Sequence, residues 1–132
     1  MVYPLIILLS IRRRKAKYKR KKPDDSWKTH KDRAMNLVLD IIDRHPGLPR
    51  FKYNNIKIRD QKTRWGSCSS KRNLNFNYRL IFLPRGLAEY IVIHEFCHLA
   101  HMNHSKEFWA LVEKLSPDYK KHKKLLKEKH IM

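Results

Sequence analysis

Cysteine is nearly absent: the chain has two, Cys68 and Cys97, too few for a disulfide scaffold, and a reducing cytoplasm is the expected location. No apolar run reaches the ~20 residues that a membrane helix needs. The longest, Tyr3–Ile11, is roughly half that length, so no membrane span is expected. It has no basic region ahead of it and no A-x-A-like site behind it, so it is a poor match to a signal peptide, and a strand or the stump of a longer N-terminal region is expected instead. There is no Walker-type glycine loop and no internal repeat. Acidic residues are scarce as well, with 12 Asp+Glu against 31 Lys+Arg, for a formal charge of +19.

With 132 residues, 42% of them hydrophobic, the chain can bury one modest core and is expected to form one folded domain. Three Trp, six Tyr and five Phe exclude a wholly disordered chain despite the charge. Much of that charge is terminal. Arg12 to Lys22 is almost unbroken Arg and Lys, and from Lys120 to Lys129 six lysines face a single Glu128. Residues 1–23 therefore read as a separate segment, apolar then polybasic, either disordered or the remnant of a longer N-terminal region. Residues 24–132 read as the folded domain with a basic C-terminal tail. Polybasic arms concentrate phosphates by counterion release, so nucleic acid, nucleotides or an anionic membrane surface are the physically reasonable contacts of these tails. A solvated arm without a dedicated partner accounts for the same charge equally well.

Asp24-Asp25-Ser26 supplies N-cap chemistry, and Ala34, Leu37, Val38, Ile41 and Ile42 follow at three-and-four spacing, predicting an amphipathic helix to about His45. Pro46-Gly47-Leu48-Pro49 stops it. Ile56 and Ile58, and later Leu74, Phe76, Tyr78 and Leu80, alternate with polar residues and predict two strands joined by a hairpin or irregular connection over Gly66 to Asn73. Pro84 opens a second helix, with Leu87, Ile91, Phe96 and Leu99 on its buried side, through about Ala100. Ser105 caps a third helix carrying Phe108, Leu111, Val112 and Leu115, and beyond Pro117 a short basic helix is expected.

The chemistry lies in His94-Glu95-Phe96-Cys97-His98, an H-E-x-x-H pattern inside a segment that reads as helix on independent grounds. Residues four apart on a helix are rotated by about 40° and rise about 6 Å, so two imidazoles there can converge on one ion. Glu95 is placed for the general-base role that a carboxylate plays toward water in zinc hydrolases. Cys97 cannot share that ion without distorting the helix and reads as core. The third ligand is His101 or His104. On a straight helix His101 lies about 10.5 Å beyond His94, which favours His104 after a turn at Met102-Asn103, with His101 left as an outer or substrate-facing group.

Arg64-Trp65-Gly66-Ser67-Cys68-Ser69-Ser70, Asn73 to Leu80, His94 to His98, and Asn103-His104-Ser105-Lys106-Glu107-Phe108-Trp109 together resemble the YgjP-like metallopeptidase family, distantly related to SprT-like proteins. The resemblance spans roughly residues 50 to 120 and implies an α+β fold. That fold is a minimal zincin-like core with a small antiparallel sheet packed on the H-E-x-x-H helix and flanking helices. It also implies Zn2+ held by His94, His98 and His104, with Glu95 as catalytic acid and base toward a peptide or protein substrate. Fuller family members carry a β-rich region ahead of the first helix, and here about two dozen residues precede Asp24, so the substrate-binding half is expected to be missing, as in a shortened protein or a fragment. The ligand spacing equals that of metzincins, but His101 stands where their turn glycine would be, which argues against that group.

Trp65 and Gly66 are expected to pack a strand tightly beneath the metal helix, while Arg64, Tyr78 and Arg79 are candidates for polarising or binding substrate. Two other functions remain. One is a metal-dependent nucleoside-triphosphate pyrophosphatase, an activity proposed in the resembled family and compatible with the basic charge. The other is a nucleic-acid-associated protease or binding module acting through the basic tails.

Overall fold

The computed structural model describes residues 27–129. The apolar and polybasic N-terminal segment, and the caps expected at Asp24, Asp25 and Ser26, lie outside the described residues. Within them the fold is α+β, with four α-helices around a three-stranded sheet. Helix α1 covers residues 27–44 and buries Ala34, Val38, Ile41 and Ile42, the stripe that its three-and-four spacing predicts. It ends in a turn that the His45 ring holds together: Nε2 donates to the Leu115 carbonyl at 2.8 Å, and Nδ1 accepts from the Gly47 N–H at 3.1 Å. Leu48 then drops fully into the core.

Strands β1 (Asn55–Arg59), β2 (Gly66–Cys68) and β3 (Asn73–Asn77) form one sheet in the order β1-β3-β2. The expected sheet was antiparallel. That holds for β2 against β3, whereas β1 runs parallel to β3, with Ile56 opposite Leu74 and Ile58 opposite Phe76. A parallel pair needs a crossover of roughly a dozen residues, and residues 60–72 supply one. Within that connection Gly66–Cys68 form a strand of their own. The buried Ile56, Ile58, Leu74 and Phe76 all belong to the period-two pattern that marks a sheet with one covered face.

β3 stops at Asn77 instead of running to Leu80, because the Asn77 side chain redirects the chain. Its Nδ2 donates to the Gln61 carbonyl at 2.6 Å and the Arg64 carbonyl at 3.0 Å. Its Oδ1 accepts from the Arg79 N–H at 3.0 Å and so caps a 3-10 helix over Tyr78–Phe82. Asn is favoured at such positions because its side chain competes with the strand ladder for backbone groups.

Helix α2 (Arg85–Cys97) lies across the sheet, burying Leu87, Ile91, Val92 and Phe96, and Cys97 is fully covered in the core. After Cys97 the chain tightens into i to i+3 turns through Ala100, the usual way of using the free carbonyls at a helix end. Ser105 Oγ accepts from the Phe108 N–H at 3.3 Å and starts helix α3 (Lys106–Leu115). Pro117 separates it from helix α4 (Tyr119–Lys127), which packs back on α2. No described helix is long and apolar enough to cross a membrane.

Candidate metal centre

The end of α2 and the turn into α3 bring three imidazoles face to face. His94 and His98 sit one helical turn apart on α2, and the chain reverses after His98 to return His104 beside them. His104 Nε2 lies 3.3 Å from His94 Nε2 and 3.1 Å from His98 Nε2. Two nitrogens each ~2.0 Å from one ion at the tetrahedral angle stand about 3.3 Å apart, so these spacings fit the edges of a tetrahedral metal site. Among the described residues, this is the group of His, Cys, Asp or Glu side chains whose ligand atoms converge as a metal would require, all within 4.8 Å of one another. His101, the alternative third ligand, contributes otherwise: His98 Nδ1–H donates to its backbone carbonyl at 3.0 Å. That bond fixes the His98 tautomer and leaves Nε2 as a lone pair facing its neighbours.

Aromatic packing holds the rings in place. Phe108 stacks on His98 at 4.4 Å between centroids and meets His94 edge-on at 5.1 Å. Trp109 stacks on His104 at 5.7 Å. Both aromatics are one turn of α3 away from the cap at Ser105, so the capping hydrogen bond that starts this helix also sets the wall of the site. Burial, and then the neighbouring His98, His104 and Lys123, push the His94 pKa down to about 4; burial likewise lowers that of His98, against backbone hydrogen bonding that raises it. Neutral imidazoles are what a cation needs as donors.

Glu95 is buried at 7% exposure, next to His94 but turned toward β2. Burial pushes its pKa up to about 8, partly offset by the Arg64 guanidinium. The three imidazoles, Glu95, Arg64 and Cys68 border a cavity of about 370 Å³. Gly66 lies directly under the Glu95 side chain, the tight packing expected of this strand beneath the helix. Arg64 thus reaches the site. Tyr78 and Arg79 do not border it: Arg79 pairs with Asp60 at 2.8 Å and lies over the Tyr78 ring, which packs edge-on against Trp27.

Two contributors had no signal in the sequence as site residues. Phe108 reads as an ordinary core position, and Lys123, which with His94, His104 and Trp109 borders an adjoining cavity of about 570 Å³, reads as part of a basic tail. Each reaches the site only through the packing of a later helix on α2.

The sequence pattern of the family described as YgjP-like, metallopeptidase domain, matches residues 6–129. Among solved structures, the metallopeptidase zymogen of Pyrococcus abyssi abylysin is similar in fold, with a TM-score of 0.55 and 20% identity over 72% of this chain and 99% of that one. No curated protein matches the chain.

Proposed function

Since this chain belongs to the YgjP-like metallopeptidase domain family, we propose that it hydrolyses peptide bonds with Zn2+ held by His94, His98 and His104 and with Glu95 as general base and acid. The observation that carries this reading is the spacing of the three Nε2 atoms, 3.1 and 3.3 Å along two edges, beside a carboxyl group that is not part of the triad. Three nitrogen donors suit zinc and disfavour magnesium or calcium, which prefer oxygen. With three protein ligands and an open cavity, the arrangement has the form of a catalytic site and not of a closed structural one.

When bound, the ion supplies Lewis acidity, polarising a carbonyl and lowering the pKa of water. The chain's own groups do the rest. Glu95, on the cavity wall, accepts a proton from water at its carboxylate and later delivers it to the departing amine nitrogen. Arg64, at the rim of the same cavity, orients the substrate carbonyl through its guanidinium donors. The His101 carbonyl keeps the His98 ring in its ligating tautomer.

The direct test is Glu95→Gln in the zinc-reconstituted full chain. Zinc content by elemental analysis should be unchanged, while hydrolysis of an unfolded protein such as casein falls by at least about 100-fold, the usual scale for a positioned acid-base group. A variant that still cleaves at the parental rate removes Glu95 from the mechanism.

A further inference from the structure

Helix α4 turns an unusual face toward the metal centre. Lys120, Lys123, Lys124 and Lys127 recur at i, i+3, i+4 and i+7, which gathers four ammonium groups on one side of a nine-residue helix. Lys106, at the start of α3, approaches the same space, and together these five lysines border a cavity of about 460 Å³. Its floor is aromatic: Trp109 and Tyr119 are stacked at 5.5 Å, and Lys123 Nζ stands 4.2 Å from the indole centroid. The ion pairs of the described residues all involve Arg44, Arg79 or Arg85, so none neutralises these lysines.

A lysine face on a terminal helix is ordinarily just solvated. Here it walls a concavity that continues into the metal centre. Trp109, Lys123 and Lys127 border both the lysine pocket and the cavity containing His94 and His104. Like charges crowded around a partly apolar hollow repel one another until an anion enters, and the low-dielectric floor strengthens the attraction for it.

We propose that the lysine pocket is a subsite for acidic side chains of a peptide, selecting substrates with Asp or Glu close to the bond presented to the histidine triad. The cleavage half of this statement rests on the peptidase reading above; the binding half does not. An acidic peptide fits better than a nucleic acid for two reasons. Single-stranded nucleic acid sites combine a long backbone-tracking groove with free aromatic faces for bases, whereas this pocket is discrete, and its indole is already engaged by His104, Tyr119 and Lys123. A peptide lying in the adjoining metal cavity also needs no second ligand to fill the lysine pocket.

The test uses three full-length, zinc-loaded chains. One is the parent. The second carries Lys106→Glu, Lys120→Glu and Lys124→Glu, residues that border the lysine pocket but none of the cavities bordered by the histidines. The third carries Lys57→Glu, Lys62→Glu and Lys71→Glu, exposed positions elsewhere that change net charge equally. Circular dichroism and thermal melts check that all three fold, and the Gln version of the pocket triple replaces the Glu version if the latter does not.

Binding of a fluorescein-labelled glutamate-rich peptide is read by anisotropy at about 0.15 M salt. The pocket variant should weaken binding by at least about 10-fold and the distant control by less than about 2-fold, since only the former removes converging charges. Equal losses in both variants, equal affinity for an uncharged peptide, or preferential displacement by a single-stranded oligonucleotide would overturn the proposal. Sequencing the ends of digested protein gives the second readout, with acidic residues enriched near the cut for the parent and not for the pocket variant. A binding difference without any cleavage refutes the peptidase reading and leaves the pocket standing. Cleavage without acidic preference or binding difference does the reverse.

Discussion

Gly66 lies against Glu95 so closely that a methyl group on it would stand 3.1 Å from Glu95 Cγ and 3.1 Å from the Asn75 carbonyl oxygen. Strand β2 therefore packs on the metal helix more tightly than a side chain at this position would allow without its neighbours giving way, and the same approach confines the carboxyl group that the proposed chemistry uses.

Replacing Gly66 by Val should be felt at both levels. Overpacking against backbone and the Phe76 ring is expected to cost about 1–3 kcal/mol in denaturant unfolding, and displacement of Glu95 should lower hydrolysis while zinc content stays near that of the parent. Unchanged stability together with unchanged turnover would show that β2 yields freely, contrary to the packing seen.

His104 and His101 separate cleanly by substitution. His104→Ala removes a converging nitrogen and should weaken zinc binding by more than about 100-fold, beyond the usual effect of losing an outer partner. His101→Ala keeps the backbone carbonyl that orients His98 and should leave affinity within about 10-fold. Competition against a chromogenic chelator measures both, and a comparable loss in the His101 variant would mean that its ring takes part.

Asn77 is fully buried and its side chain makes four hydrogen bonds, donating to the Gln61 and Arg64 carbonyls and accepting from the Arg79 N–H and the Arg79 guanidinium. Truncating it to Ala strands those backbone groups and should cost about 2–4 kcal/mol. Because one of them belongs to Arg64, the loosened loop should also raise KM for peptides. A loss under about 0.5 kcal/mol, the range of an ordinary surface change, would contradict the bonding described.

Cys68 gives a pH signature in the metal-free protein. Burial, then the nearby Glu95, push its thiol pKa from 9.0 up to about 11, against the opposing influence of Arg72. Thiolate is the reactive form, so alkylation at pH 8 should run about 100-fold slower than for an unperturbed cysteine and climb with pH toward 11. The stability effect has a definite sign. Between pH 9 and 11 the unfolded chain gives up this proton while the folded chain retains it, so this group makes stability fall as pH rises through that window. Labelling of Cys68 at neutral pH as fast as free cysteine would contradict the burial.

Several elements were readable in advance because their causes are local. The cap at Ser105, the prolines at helix boundaries and the apolar periodicities of α1, α2 and α3 act within a few residues, and among the described residues these helices lie close to where the pattern puts them. The sheet was only half readable. Alternation marks which residues face inward, but the direction in which β1 pairs with β3 depends on how the intervening chain crosses over, and Asn77 ends β3 through bonds to residues more than a dozen positions away.

The sequence by itself determined that His94 and His98 share a helix face with Glu95 between them, since helical spacing follows from the covalent backbone. It also determined the strongly basic balance of the chain, a formal charge of +19. Only the tertiary structure decided that the His104 ring, and not that of His101, meets the pair, that Tyr78 and Arg79 turn away from the cavity, and that the lysines of α4 line a hollow beside it. Those outcomes depend on how separate segments pack against one another, and packing is set by the whole core at once rather than by any stretch of it.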